Sequence, residues 1–161
     1  MKELILLRHA KSSWELNVED RNRGLTEKGI QRIRNMAAVS ASHFSEVDIV
    51  FSSPANRAFH TASILIHELN LSFEKLKLSE ALYTFEVSQL VQFIHSLPNQ
   101  YNKVVCVGHN PAYTSAVSAF TSESLVHLPT AAWIYFKFEQ NNWKDIAAGK
   151  INYGLPKELL K

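Results

Sequence analysis

The chain contains little cysteine, glycine or proline, and each scarcity excludes a class of protein. Cys106 is the single cysteine among 161 residues, so an internal disulfide framework and a cysteine-based zinc cluster are both excluded. Five glycines and five prolines are too few for a collagen-like or low-complexity chain. Because 46% of the residues are hydrophobic, the chain can bury a core. We expect one globular domain spanning residues 1–161.

Long hydrophobic runs and a strong charge bias are absent as well. No apolar run approaches the roughly 18 residues that a membrane-spanning helix requires. The N-terminal apolar run meets the charged Arg8 too early to resemble a signal peptide. The formal net charge is +2, and the 17 lysines and arginines are scattered rather than clustered. Because a nucleic-acid-binding protein would carry a basic stripe, we expect a cytoplasmic protein that binds neither membranes nor nucleic acids.

Short aliphatic runs alternate with segments of helical periodicity. The runs predict strands over 4–7, 47–51, 73–78 and 103–108. Two strand-like stretches, 131–138 and 142–148, predict a terminal hairpin turned at 140–142. This alternation predicts an α/β fold, a three-layer α/β/α sandwich whose mostly parallel central sheet has antiparallel edge strands.

Capping signals predict where the helices begin. Thr26 can cap a helix that runs to about Phe44. Ser53-Pro54 and Asn110-Pro111 each combine a capping side chain with a proline, which is favoured at the first helical position. These signals predict helices from residue 54 and from residue 111 to about 120, and the pattern over 86–97 predicts another.

Three of the predicted strands lead into residues that can bind or attack a phosphoryl group. The first strand runs into Arg8-His9, Arg57 lies one turn into the helix after the second, and the strand over 103–108 leads to His109. The carboxyl ends of parallel strands open on one edge of a sheet, where α/β proteins bind ligands. Arginine can hold phosphate through two parallel hydrogen bonds, and a neutral histidine can act as a nucleophile. With this topology, the sequence predicts a site for a doubly charged anion.

Four motifs carry a family resemblance that covers nearly the whole chain. Leu-Leu-Arg-His-Ala (6–10), Ser-Ser-Pro-Ala-Asn-Arg-Ala-Phe-His-Thr-Ala (52–62) and Val-Gly-His-Asn-Pro (107–111) resemble the histidine phosphatase (phosphoglycerate mutase-like) superfamily. The Arg-His-Ala-Lys-Ser start and the segment over 20–29 resemble the SixA-type phosphohistidine phosphatases. Two residues depart from the pattern. Ala10 stands where the broader superfamily has glycine, although alanine is frequent in the SixA-like branch, and Gly24 stands where that branch usually has proline.

The resemblance implies a role for each residue at the strand ends. His9 is the nucleophile that becomes phosphorylated, Arg8 and Arg57 clamp the phosphoryl oxygens, and His109 donates to those oxygens as negative charge builds. Water then hydrolyses the phosphohistidine. This scheme requires no metal ion and no cofactor. On its own terms the chemistry is mostly positioning and charge stabilisation, because a phosphoryl group in transfer carries spread negative charge.

The resemblance is less specific about the proton donor and the substrate contacts. The segment over 78–83 resembles the one that carries the acid glutamate of the mutases, which points to Glu80, with Glu86 or an ordinary surface carboxylate as alternatives. Candidate substrate contacts are Arg23, Ser12 and Asn110, and Arg23 can instead pair with Asp20. We interpret Cys106 as a core thiol, since a cysteine phosphatase needs an arginine where this chain has Ala112.

The short connection between Glu80 and His109 predicts an open site. Larger members of the superfamily insert lid segments there to enclose small metabolites. We therefore expect a monomeric phosphohistidine phosphatase that acts on a phosphorylated signalling protein, such as a histidine-phosphotransfer domain. The alternatives are a small-molecule or broad-specificity phosphomonoesterase that uses the same site, and a catalytically silent phosphate-binding regulator.

Overall fold

The central sheet has six strands in the order β3-β2-β4-β1-β5-β6 in the computed structural model, which describes residues 1–161. The strands are β1 (Lys2–Arg8), β2 (Ile49–Ser52), β3 (Leu76–Leu78), β4 (Lys103–Gly108), β5 (Trp133–Phe138) and β6 (Lys150–Gly154). The first four strands are parallel. β5 is antiparallel to β1, and β6 is antiparallel to β5. The predicted α/β class, with a mostly parallel sheet and an antiparallel side, is confirmed.

Both faces of the sheet are covered by helices. These are α1 (Glu27–Val39), α2 (Asn56–Glu68), α3 (Val87–His95), α4 (Ala112–Phe120) and α5 (Pro156–Leu159). Successive side chains of a strand point to opposite faces, so Leu4 and Leu6 of β1 join the core beneath α3 and α4, while Ile5 and Leu7 join the core beneath α1 and α2. None of the helices is long and apolar enough to cross a membrane.

Two predicted helix starts are displaced. α2 begins at Asn56, because the Ser53 hydroxyl accepts the backbone N–H of Ala55 at 3.2 Å in a turn before the helix. α4 begins at Ala112, so the proline precedes the helix, and Asn110 Oδ1 accepts the N–H of Thr114 at 3.1 Å. The capping role of Thr26 is confirmed, since its hydroxyl accepts the N–H of Gly29 at 3.0 Å.

Two further predictions differ from the structure, one in where a helix ends and one in the type of an element. α1 ends at Val39, and the apolar periodicity continues to Phe44 through a separate 3₁₀ helix over 41–44. The strand predicted over 142–148 is wrong, because Trp143 is fully buried and its indole N–H donates to Tyr101 O at 2.8 Å. The segment is therefore anchored to the core as a 3₁₀ helix, and β6 forms after it.

The register of the central strands brings their carboxyl ends level. Arg8 of β1 lies opposite Gly108 of β4, and Ser52 of β2 lies opposite Val107. The pairing continues one residue past the strands, where the N–H of His9 donates to Gly108 O at 3.1 Å and that of Ser53 donates to Val107 O at 2.9 Å. The chain segments around Arg8, Ser53 and Gly108 therefore lie side by side at one edge of the sheet.

The polar loop after β1 rests against the first turn of α1. Ser12 forms an isolated antiparallel bridge with Leu25, and the N–H of Thr26 donates to Lys11 O at 2.9 Å. Gly29 is needed for this approach, because a Cβ there would lie 2.4 Å from Lys11 O. The two ends of the loop are thus held together beside the first turn of α1.

Candidate active site

His9, Arg57 and His109 lie together at the carboxyl edge of the sheet. The centroids of the two imidazole rings are 5.3 Å apart. Arg57 is 2% exposed; its Nε–H donates to His9 Nε2 at 3.3 Å, and its NH2 group lies 3.4 Å from His109 Nδ1. One guanidinium therefore spans the gap between both rings.

The surroundings of His9 determine which ring nitrogen can act as the nucleophile. Nδ1 lies 2.7 Å from Ala10 O. Because a carbonyl oxygen only accepts, Nδ1 carries the proton and Nε2 holds the free electron pair. Burial, which has the largest effect, and the charges of Arg57 and Arg8 together lower the pKa of His9 to about 4, against the opposing effect of the Ala10 carbonyl. His9 is therefore neutral at pH 7, as a nucleophile must be.

Arg8 lines one cavity with His9, Arg57 and His109. Its NH1 group donates to Leu128 O at 2.9 Å, which holds the guanidinium in position. Its Nε–H is buried and has no partner in the protein. An unsatisfied buried donor costs about 1–3 kcal/mol, so it indicates a position built for an anionic ligand.

His109 is held by Ser53. Its Nε2 lies 2.8 Å from the Ser53 hydroxyl, which also accepts the N–H of Ala55. A guanidinium only donates, so Nδ1 accepts from Arg57 NH2, and the ring proton is then on Nε2, which donates it to the second lone pair of the Ser53 hydroxyl. Burial, followed by the charge of Arg57, lowers the pKa of His109 to about 3. The ring is neutral at pH 7.

Gly108, the residue before His109, leaves room for α4. A Cβ at that position would lie 2.6 Å from the hydroxyl of Tyr113, which is fully buried. The absence of a side chain lets α4 pack closely against the end of β4, immediately before His109.

A family model and several known proteins match this chain. The model of the histidine phosphatase superfamily (branch 1) matches residues 4–83, which include Arg8, His9 and Arg57. The chain belongs to the histidine phosphatase superfamily. Membership supports a phosphatase activity. An uncharacterised chloroplastic protein of Arabidopsis thaliana is 27% identical over 157 residues, covering 91% of this chain and 71% of that protein.

Solved structures establish the fold that this superfamily member shares with phosphatases. The protein histidine phosphatase SixA, complexed with tungstate, superposes with a TM-score of 0.82 at 23% identity, and the match covers 99% of each chain. A mycobacterial glucosyl-3-phosphoglycerate phosphatase superposes with a TM-score of 0.71 at 14% identity, covering 94% of this chain and 97% of the other.

Asp20 belongs to the site, although the sequence predicts it only as a partner for Arg23. Its carboxylate accepts from Arg57 NH2 at 3.0 Å and from the Tyr83 hydroxyl at 2.6 Å, and its backbone oxygen accepts from Arg57 NH1 at 2.7 Å. Burial alone would raise the pKa of Asp20, but the hydrogen bonds from Tyr83 and Arg57 and the charge of Arg57 lower it to about 2. The ionised carboxylate therefore orients the guanidinium of Arg57.

The predicted substrate contacts Arg23, Ser12 and Asn110 line one open cavity with His9 and Arg57. Arg23 is buried; its NH1 group donates to Ser12 at 2.8 Å, and its Nε donates to Asp20 at 3.3 Å. The pairing of Arg23 with Asp20 is confirmed, and its contact with a substrate stays a prediction. Its guanidinium also lies 3.5 Å above the ring of Trp14, which is 78% exposed. The cavity has a volume of about 350 Å³ and is lined by Arg8, His9, Lys11, Ser12, Trp14, Asp20, Arg23, Arg57, Phe85, His109, Asn110 and Thr130.

Glu80 does not line this cavity. Both of its carboxylate oxygens accept hydrogen bonds from Arg21, and its side chain is 72% exposed. The hydrogen bond from Arg21 lowers the pKa of Glu80 below its ordinary range. The role of proton donor thus stays a prediction, and it would require the pair to separate.

Several residues of the site carry no signal that a single sequence reveals. Ser53 was assigned as a helix cap, yet it is the partner of His109. Thr61 accepts the N–H of Ala10 at 3.0 Å and donates to Arg57 O at 2.7 Å, which ties the end of β1 to α2. No cluster of three or more histidine, cysteine or acidic side chains is placed to hold a metal ion. Cys106 is fully buried in the core, as predicted, and burial raises the pKa of its thiol.

The depressed pKa of His9 can be measured directly. We expect its imidazole resonances in an NMR titration to move with a midpoint near pH 4 rather than near the ordinary 6.5. Because the unfolded chain takes up this proton near pH 6.5 and the folded chain does not, His9 also reduces the stability of the fold as the pH falls between these values. The His9→Gln variant identifies the resonance, and a midpoint near 6.5 would contradict the burial argument.

Proposed function

We propose that the chain is a phosphatase that passes a phosphoryl group from phosphohistidine on a protein to His9 and then to water. The observation that carries the proposal is the neutral His9 Nε2, whose free electron pair accepts a hydrogen bond from Arg57 in a cavity that Arg8 also lines. A nucleophile beside a pair of fixed cations suits a reaction whose transition state spreads negative charge over three oxygens.

The transfer would occur in two steps at one nitrogen. In the first, His9 Nε2 attacks phosphorus, the bond between phosphorus and the substrate's leaving atom breaks, and the leaving group departs with that electron pair. In the second, water attacks phosphorus, the bond from phosphorus to Nε2 breaks, and inorganic phosphate leaves. Arg57 Nε–H donates to Nε2 in the free protein, so that hydrogen bond would have to break before Nε2 attacks, and the same N–H would then be free to donate to a phosphoryl oxygen.

The acidity of the surrounding groups favours a particular leaving group. Asp20 is ionised at any pH near neutrality and cannot donate a proton. Glu80 is held by Arg21 outside the cavity. An alkoxide leaves poorly without a proton, whereas the imidazole of phosphohistidine needs far less assistance. The absence of a protonated carboxyl among the cavity residues therefore supports a phosphoramidate substrate.

The open cavity supports a phosphoryl group displayed on a protein. Phosphohistidine on a histidine-phosphotransfer domain would have to enter from the side of Trp14 and Phe85, two exposed aromatic side chains that line the cavity. The likeness to the protein histidine phosphatase SixA agrees with this substrate class. We propose that the chain acts as a monomer, because His9, Arg57 and His109 contact one another within one chain.

A comparison of matched substrates tests the proposal. We expect kcat/KM for a histidine-phosphorylated domain to exceed that for a phosphoserine peptide by at least about 100-fold, the scale of one missing acid catalyst. In the Glu80→Gln variant the phosphohistidine rate should be unchanged. A preference for phosphomonoesters, lost in Glu80→Gln, would instead assign a small-molecule phosphomonoesterase with Glu80 as the acid, the alternative favoured by the shared fold of the glucosyl-3-phosphoglycerate phosphatase.

A further inference from the structure

We propose that a basic pocket beside α1 is a second anion-binding site, which accepts a carboxylate or phosphate group of the same molecule whose phosphoryl group enters the catalytic cavity. The inference rests on the proposed phosphatase function for its physiological meaning. The pocket has a volume of about 460 Å³ and is lined by Lys11, Lys28, Gly29, Gln31, Arg32, Asn35, Thr130 and Leu160.

The charge of this pocket is unbalanced. Lys11, Lys28 and Arg32 are cations, and no carboxylate is among the lining residues. None of the three forms an ion pair, whereas Arg34 on the same helix pairs with Glu68 at 2.9 Å. With a formal net charge of only +2 for the whole chain, such a local excess is a specific feature. Uncompensated cations in a concave surface raise the local concentration of anions.

The remaining lining groups fit an oxyanion. The side-chain amides of Gln31 and Asn35 and the hydroxyl of Thr130 can each donate a hydrogen bond to a carboxylate or phosphate oxygen. Leu160 is the single hydrophobic residue of the lining. A pocket with three cations, three neutral donors and one aliphatic side chain disfavours an apolar ligand.

The pocket adjoins the catalytic cavity. Lys11 and Thr130 line both. The backbone of Lys11 is fixed against α1 through the close approach at Gly29 and the hydrogen bond from Thr26. A substrate that presents its phosphoryl group to His9 can therefore place a neighbouring anionic group beside Lys28 and Arg32.

Two sources could supply this second anion. One is an acidic side chain near the phosphohistidine of a partner protein, and the other is a second phosphate on a small molecule. Both share the chemistry that the pocket recognises. Peptides and inorganic pyrophosphate distinguish them.

The first arm of the test compares two histidine-phosphorylated peptides that differ only in having glutamates or glutamines beside the phosphohistidine. We expect wild-type kcat/KM to be about fivefold higher for the acidic peptide, the scale of one or two screened charge pairs. The Lys28→Gln/Arg32→Gln double variant should lose this preference while its kcat/KM for the glutamine peptide stays unchanged. Arg34→Gln, which removes a charge from the same helix outside the pocket, should keep the preference.

The second arm needs no catalysis, so it separates this inference from the proposed function. Addition of inorganic pyrophosphate should shift the backbone amide resonances of residues 28–32 in the wild type and leave them unmoved in the double variant. If neither peptide is hydrolysed but these shifts occur, the phosphatase proposal fails and the anion site stands, with a small phosphorylated molecule as its source. If the double variant behaves as the wild type in both arms, the anion site is overturned.

Discussion

Replacement of His9 by alanine is expected to abolish phosphate release from a histidine-phosphorylated protein, with kcat falling at least about 10⁴-fold. The variant removes the nitrogen that we propose accepts the phosphoryl group, and His109 cannot replace it, because one of its ring nitrogens is bound to Ser53 and the other to Arg57. Release of inorganic phosphate at saturating substrate is the measurement.

A matched control and a trapping experiment make this result specific. His60→Ala removes a half-buried histidine of α2 that does not line the catalytic cavity, and it should retain wild-type activity. Brief mixing of the wild type with a labelled phosphoryl donor should leave acid-labile phosphate on the protein, and His9→Ala should carry none. Residual turnover of His9→Ala within about tenfold of the wild type would refute the covalent route.

Replacement of Arg57 by lysine is expected to lower kcat/KM by about 10²-fold or more, although the charge is kept. A guanidinium reaches Asp20, His9 and His109 simultaneously through different nitrogens. A lysine ammonium is a point charge and cannot span these partners. Steady-state kinetics on the histidine-phosphorylated domain measures the loss.

Two controls show whether the loss comes from the site. Arg21→Lys makes the same change in an exposed ion pair with Glu80 and should have little effect on activity. Because Arg57 is buried, the near-ultraviolet circular dichroism of Arg57→Lys should be compared with that of the wild type, and a native spectrum is expected. An unchanged kcat/KM in a folded Arg57→Lys protein would mean that charge alone, without the forked geometry, holds the phosphoryl group.

The positions of the central strands, and the meeting of the main candidate site residues at one edge of the sheet, can be predicted from the sequence. Parallel strands that are buried on both faces consist of continuous aliphatic runs in the sequence. The observed bounds of β4, Lys103–Gly108, therefore equal the predicted ones, and β1 is only a few residues longer than predicted. Their carboxyl ends must share one edge of the sheet, which places Arg8, His9 and His109 together without any knowledge of side-chain contacts.

Other features depend on contacts between distant segments, which no local pattern encodes. Asp20 is part of the site because Arg57 and Tyr83 both donate hydrogen bonds to its carboxylate. Glu80 lies outside the cavity, where it pairs with Arg21. The strand predicted over 142–148 had suitable residues, but burial of Trp143 against Tyr101 outweighed its β-propensity.

The position of β1 in the sheet has a consequence for the order of assembly. This strand precedes the other five in the chain, yet its two neighbours are β4 and β5, with Lys2 opposite Phe138 and Arg8 opposite Gly108. During synthesis β1 must therefore stay unpaired until β4 and β5 have been made, and such long-range pairing slows folding. A chain that ends before β4 will contain His9 and Arg57 but will lack His109, the third member of the cluster at the edge of the sheet.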